Sequence, residues 1–225
     1  MTERARGGWR VDALLLGGFG LVTLLVWLDR FDLWDLIVRD WVDAHRPRRL
    51  RLTAVALNYL GSANVLVLVA LLLALVVIAR TRSPRALLPV VVTYAVSHLL
   101  LGPIKLLTHR AAPHSPRADG SGFFTDPDGW SYPSGHVVNA LIWYPVLILL
   151  VELALAVPLA PSVRAMVRVL PIVTVSATVT FLGYHWMTDV VGALLFGAAL
   201  DRMLARVPWF ASAPAEALAG SRRDR

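Results

Sequence analysis

Residues 63–78 read ANVLVLVALLLALVVI, an apolar run broken only by Asn64 and closed by Arg80. A helix crossing the ~30 Å bilayer core needs roughly 20 such residues, and this run approaches that length if it begins nearer Leu52. It is not alone. Val11–Leu28, Ala86–Leu107, Gly135–Val157, Val163–Leu182 and Val190–Leu204 are further apolar runs, separated by short polar links. The whole chain of 225 residues is 57% hydrophobic and 16% charged, with mean hydropathy +0.63. Soluble domains hold about 45–50% apolar and about 25% charged residues, so this composition excludes a soluble globular protein and a disordered one. The pattern predicts an all-α fold, a six-helix transmembrane bundle, forming one domain over residues 1–207. Residues 208–225 read as a loose cytoplasmic tail.

Between the first two spans lies Phe31–Val42 (FDLWDLIVRDWV), where apolar and charged residues alternate at helical spacing. This predicts a short interfacial amphipathic helix with Trp34 and Trp41 at headgroup depth. An amphipathic connector packed on the bundle fits the same pattern. No small-residue cleavage site follows the first run, which therefore reads as an anchor rather than a removed signal peptide. Cysteine is absent, which excludes disulfides, iron–sulfur clusters and a thiol nucleophile.

The formal net charge is +7 and the pI about 10.7. In a soluble protein this would suggest nucleic acid. Here the arginines flank apolar runs, the usual position of topology signals and lipid-headgroup contacts. The expected partners are the bilayer and a lipid, with no nucleic acid; the oligomeric state is not readable. Basic residues are more numerous on the side of the N-terminus, which predicts both termini cytoplasmic in a multi-pass protein of the plasma membrane. The polar stretch 109–131 then faces outward. Of the 22 basic residues only Lys105 is a lysine, and it ends an apolar run, where a charge is costly and often functional.

Three short stretches carry the chemistry. They are Lys105–Pro113 (KLLTHRAAP), Tyr132–His136 (YPSGH) and Tyr184–Asp189 (YHWMTD). Each falls at the outer end of a predicted span, so six-helix topology brings them together. His185 and Asp189, four apart, share a face if helical. The carboxylate can then hold one imidazole nitrogen protonated and leave the other as nucleophile or base. The plainer reading is two helix caps. Ser134 can cap the fourth span, whose free N–H groups, beginning at Gly135, favour an anion. His136, one turn in, is placed to protonate a leaving group. Lys105 and Arg110 add positive charge, or else snorkel to the interface. A serine-hydrolase reading of Ser134 lacks the Gly-x-Ser-x-Gly elbow. Metal binding by His109 with His114, or His136 with His185, lacks ligand spacing.

In this order and on these spans, the stretches resemble the signature of the type-2 phosphatidic acid phosphatase family, membrane enzymes related to vanadium haloperoxidases. The family pattern is Lys, six residues, Arg-Pro; then Pro-Ser-Gly-His; then Ser-Arg, five residues, His, three residues, Asp. The resemblance covers roughly Leu52 to Leu204. It implies His185 as the nucleophile that becomes phosphohistidine, Asp189 as its orienting group and His136 as the acid. Lys105, Ser134 and Gly135 would hold phosphate oxygens, with no cofactor and no metal. Two positions depart from the pattern. Ala112 stands where the family has arginine before Pro113, and Thr178-Val179 stand where it has Ser-Arg. Arg110, two residues earlier, is expected to compensate in part as a phosphate ligand. Bidentate arginine is the usual source of strong phosphate bonds, so the loss weakens the case for a doubly charged substrate. Three functions follow as expectations: a lipid phosphate phosphatase acting at the outer membrane face, a headgroup phosphotransferase acting on a singly charged phosphodiester, and a non-catalytic lipid-binding protein.

Overall fold

The computed structural model describes residues 3–116 and 121–207, and side chains from residue 8 onward. The expected tail 208–225 lies outside the described residues. Among these, the elements are helical throughout: α1 (Glu3–Trp27), α2 (Asp32–His45), α3 (Arg51–Asn58), α4 (Ala63–Thr81), α5 (Leu88–Thr108), α6 (Gly135–Leu155), α7 (Pro161–Phe181) and α8 (Met187–Leu204). Short 3-10 turns precede α3, α4 and α5.

Among the described residues, five stretches are long and apolar enough to cross a membrane: Gly8–Trp27, Ala63–Thr81, Pro84–Thr108, Gly135–Leu155 and Pro161–Phe181. α8 is the sixth long member of the bundle. It is apolar through its middle but carries Asp189, Asp201 and Arg202 near its ends. The second span does not begin near Leu52. α3 is a separate short helix, and Ser62, in extended conformation, breaks the chain before α4. That break places the first residues of α4 beside the site described below.

α6 is the central helix, buried on most of its circumference, with α4, α7 and α8 packed around it. α4 meets it along Leu66, Ala70, Ala74 and Val77, a stripe at helical spacing. Its two buried alanines let the backbones approach closely, as small residues do between membrane helices. On the other side, a Cβ at Gly197 of α8 would stand 2.6 Å from the Leu141 side chain. α1 lies against α8 and is tied to its far end, where Asp12 accepts from Arg202 (2.7 Å) and from Arg206. The opposite end of the bundle carries α2, α3 and the long loop after α5.

α2 combines both readings of its sequence. Leu33, Trp34, Ile37 and Trp41 are exposed on one side, while Asp35 on the other is buried. The helix packs against α7 and α8.

Candidate active site

The three stretches meet at one end of the bundle. Lys105 lies in the last turn of α5, Gly135 and His136 open α6, and His185 sits in the turn between α7 and α8. Together with Asn139 they line a cleft of about 410 Å³, walled also by Trp130 and by Ser62, Ala63 and Asn64 at the start of α4. The His136 and His185 rings face each other edge-on with centroids 6.4 Å apart. Lys105 Nζ donates to the carbonyls of Trp130 (2.5 Å) and Pro133 (2.8 Å). An ammonium has three donors, so one is left for a ligand.

Ser134 occupies the N-cap position of α6, yet its hydroxyl makes no cap bond. Its backbone N–H donates to the Asp189 carbonyl (3.1 Å), and its Oγ is buried and unpartnered. A buried hydroxyl without a partner costs about 1–3 kcal/mol; Ser134 is fully buried beside Gly135 and is not itself among the residues lining the cleft.

His185 and Asp189 do meet, but not as neighbours on one helical face. His185 precedes α8, in a turn that includes Gly183 at φ +68°. Asp189 lies in the first turn of α8, and its Oδ2 accepts the N–H of Trp186 (2.9 Å), so the helix start folds back onto the histidine. His185 Nδ1 is 3.3 Å from Asp189 Oδ2 and 3.3 Å from Ser131 Oγ. Ser131 also donates to Asp189 Oδ2. With Nδ1 protonated against the carboxylate, Nε2 carries the free lone pair.

Arg110 is not where the sequence suggested. It is fully buried and lies outside the lining of the cleft. Its Nε donates to the Ser121 carbonyl (2.6 Å). One terminal nitrogen donates to Thr188 Oγ1 (2.9 Å) and Asp189 Oδ1 (2.5 Å), the other to Asp35 Oδ2 (2.6 Å). Phe123, Tyr132 and Trp186 ring it at 5.8–5.9 Å. Two buried carboxylates bind a planar guanidinium fork more strongly than open solvent does, which turns Arg110 towards Asp35 and Asp189 and away from the cleft. Val179 is buried in the apolar core, and its carbonyl accepts from Tyr184 N–H (3.0 Å) and His185 N–H (3.4 Å). Thr178 is also buried and donates to the Val175 carbonyl (3.1 Å).

Several residues of this site escape the motifs. Asp35 accepts from Thr188 N–H (3.0 Å) and Thr188 Oγ1 (2.5 Å) besides Arg110. Burial pushes its carboxyl above the ordinary value, against the pull of Arg110 and the Thr188 donors. Tyr132 is fully buried; its hydroxyl pairs with Thr23 of α1 at 2.8 Å, and Phe19 and Phe123 flank its ring. Burial pushes that phenol up to about 12, so it serves as a neutral anchor. Gly61, in the turn before α4, lies so near α6 that an ideal Cβ would stand 2.7 Å from the His136 carbonyl oxygen. Among the described residues, no three His, Asp or Glu side chains are grouped so as to hold a metal ion.

A family model, the PAP2 superfamily, matches residues 86–212, more than half of the chain, and contains all three stretches. The chain belongs to the PAP2 superfamily. Its fold is similar to the crystal structure described as the first transmembrane PAP2-type phosphatidylglycerolphosphate phosphatase, from Bacillus subtilis. That likeness has a TM-score of 0.70 at 22% sequence identity, and covers 86% of this chain and 93% of the other. No curated protein matches by sequence. This PAP2 chain is therefore a helical multi-pass membrane protein of a phosphatase family. α2 and the start of α4, which add Asp35 and Ser62–Asn64 to the site, precede the segment that the family model matches.

Proposed function

We propose that the protein hydrolyses a lipid phosphate monoester through a phosphohistidine formed on His185. The reading rests on the PAP2 fold and on one observation above all. His185, backed by Asp189, faces His136 across a cleft that also holds Lys105. In-line displacement places nucleophile and acid on opposite sides of phosphorus, each roughly 3 Å from its reacting atom. A ring separation of 6.4 Å suits that arrangement. His185 Nε2 attacks phosphorus, the bond to the ester oxygen breaks, and His136 delivers its proton to the leaving alkoxide. His136, now neutral, takes a proton from water. The resulting hydroxide attacks phosphohistidine and frees inorganic phosphate. Lys105, the Ser134 hydroxyl and the N–H groups at Gly135 stabilise the equatorial oxygens. Residues 1–207 act as one unit in the plasma membrane. Arg80, Arg164, Arg168, Arg202 and Arg206 gather at the far end of the bundle, which supports cytoplasmic termini and a site facing outward.

One observation favours a second reading. Among the described residues lining the cleft Lys105 is the one cation, because Arg110 is engaged by Asp35 and Asp189. A singly charged phosphodiester asks for less compensation than a dianionic monoester. A headgroup transfer between lipids by the same phosphohistidine is the chemistry that such a pocket would serve. Purified protein incubated with phosphatidic acid and with phosphatidylglycerol plus an acceptor alcohol separates the two. Mass spectrometry reads diacylglycerol with free phosphate for the first and an exchanged headgroup for the second. His185→Ala removes both products and the acid-labile phosphoenzyme. Native turnover in that variant would sink the mechanism.

A further inference from the structure

We infer that Asp35, on the amphipathic helix α2, is a positioning residue for His185, acting through the buried relay Asp35–Arg110–Asp189. The inference rests on the phosphohistidine reading above and extends it to a helix outside the family-matched segment.

Three donors converge on the Asp35 carboxylate: an Arg110 N–H at 2.6 Å, the Thr188 N–H at 3.0 Å and the Thr188 hydroxyl at 2.5 Å. The Arg110 and Thr188 N–H groups can only donate, one to each carboxylate oxygen, and the guanidinium opposes the burial that raises the carboxyl, so the bonding pattern favours the anion. Arg110 in turn donates to Asp189 Oδ1 (2.5 Å), and Asp189 Oδ2 lies 3.3 Å from His185 Nδ1. Asp35, Arg110 and Asp189 are all buried, where interactions are weakly screened. Charge arithmetic then assigns the role. Arg110 with Asp189 alone sums to zero, which leaves His185 the field of a dipole whose negative end is Asp189 rather than that of a net charge. Adding Asp35 restores one negative charge behind the imidazole. That charge favours the cationic phosphoimidazolium which forms when His185 attacks. The same relay fixes the Asp189 carboxylate from behind, so its Oδ2 stays aimed at Nδ1.

Asp35 does not line the cleft, so it acts on the rate and leaves substrate affinity alone. Among the described residues, the other charged or titratable side chains that share a pocket with His185 are His136 from α6, Lys105 from α5, His114 from the loop after α5, and Arg39 and Asp43 from α2. Arg39 rests over the Trp186 ring and Asp43 lies 3.4 Å from His114. Neither touches the relay.

The test is the pH–rate profile of the full-length protein in detergent, with dioleoyl phosphatidic acid as the probe. Asp35→Asn is expected to lower kcat about ten- to a hundredfold, the usual effect of losing an outer-shell partner, with KM unchanged. The acid limb of the profile should move to lower pH by about one unit, the scale expected for removing a buried charge in the layer behind the imidazole at an effective dielectric of about 20. A merely structural loss would lower the profile without moving its limb. Asp35→Glu keeps the charge; its limb should stay at the native pH although kcat falls. This second variant decides the matter even if Asp35→Asn does not fold, since a displaced limb with the charge intact overturns the proposal. An unmoved limb in Asp35→Asn, or a loss carried by KM, overturns it too. His185→Ala is run beside them. Turnover retained there ends the site reading and the role of Asp35 together. Turnover lost there, with an unmoved limb in Asp35→Asn, rejects Asp35 alone.

Discussion

Gly61→Ala is the sharpest probe of how closely α4 and α6 are fitted around His136. An added methyl at residue 61 would lie 2.7 Å from the His136 carbonyl oxygen, 2.9 Å from His136 Cβ and 2.8 Å from Val175 Cγ1. Non-bonded heavy atoms are comfortable from about 3.5 Å, so the turn and the start of α6 must separate by roughly 0.7 Å. The Gly61 carbonyl is also held by Asn139 Nδ2 (3.2 Å), which resists an outward swing of the turn. A misplacement of about 1 Å costs around a hundredfold in rate, so kcat on phosphatidic acid should fall about thirty- to a hundredfold. Overpacking should destabilise the fold by only about 1–3 kcal/mol. Because His136 is the proposed acid, the loss should shrink by about tenfold on p-nitrophenyl phosphate, whose leaving group needs little protonation. Adding Val175→Ala opens space on the far side of the methyl and should recover part of the rate. Steady-state kinetics on both substrates, with thermal unfolding in the same detergent, provides the readout. Equal losses on the two substrates, or a native rate, would refute the coupling of this turn to the acid.

Other expectations follow from the same geometry. Arg110→Ala leaves Asp35 and Asp189 buried without their shared cation, and should destabilise the protein by about 3–5 kcal/mol and depress monoester and diester turnover alike; a selective loss on monoesters would return Arg110 to the phosphate pocket. Asp189→Asn removes the anion that fixes the His185 tautomer and should lower kcat by up to about 10⁴ while a vanadate titration shows binding retained. Ala112→Arg should shift preference from diesters towards monoesters, because a cation favours the more negative ligand; Val179 is too deeply buried in apolar surroundings to take the same change without unfolding. Thr23→Val breaks the bond to Tyr132 and should cost about 1 kcal/mol, read as a lower unfolding temperature, with kinetics little altered.

The helical membrane architecture is legible in the apolar runs because a bilayer demands long uninterrupted ones, and no soluble fold of this size does. The meeting of Lys105, His136 and His185 is legible too, since alternate ends of successive spans must fall on one side. Other features belong to tertiary structure. Arg110 reads as a phosphate ligand when only its distance from Lys105 is known; its direction is set by Asp35, distant in sequence and on another element. Asp35 itself sits in a helix whose charged face reads as solvated, and nothing local distinguishes it from Asp32 or Asp40. The break at Ser62 is hidden because Arg51–Asn58 and Ala63–Thr81 both favour helix, and they part only in packing, α3 against α7 and α4 against α6. Ser134 has the composition of a cap, but its hydroxyl makes no cap bond and is left unpartnered.

The pairing of α1 with α8 bears on the order in which the protein can be assembled. Among the described helices α1 is made before the others, yet the helix it rests on is made after them, and Thr23 must also wait for Tyr132. Until α8 arrives, the side of α1 destined for it, with Asp12 at one end, is bare to lipid or to the insertion machinery. Chains usually gain structure from the N-terminus as they are made, and contacts between distant segments form late. Here the packing of α1 is completed only when synthesis reaches α8, so a product stopped before residue 187 should leave α1 held by little more than Tyr132 and exposed to quality-control proteases.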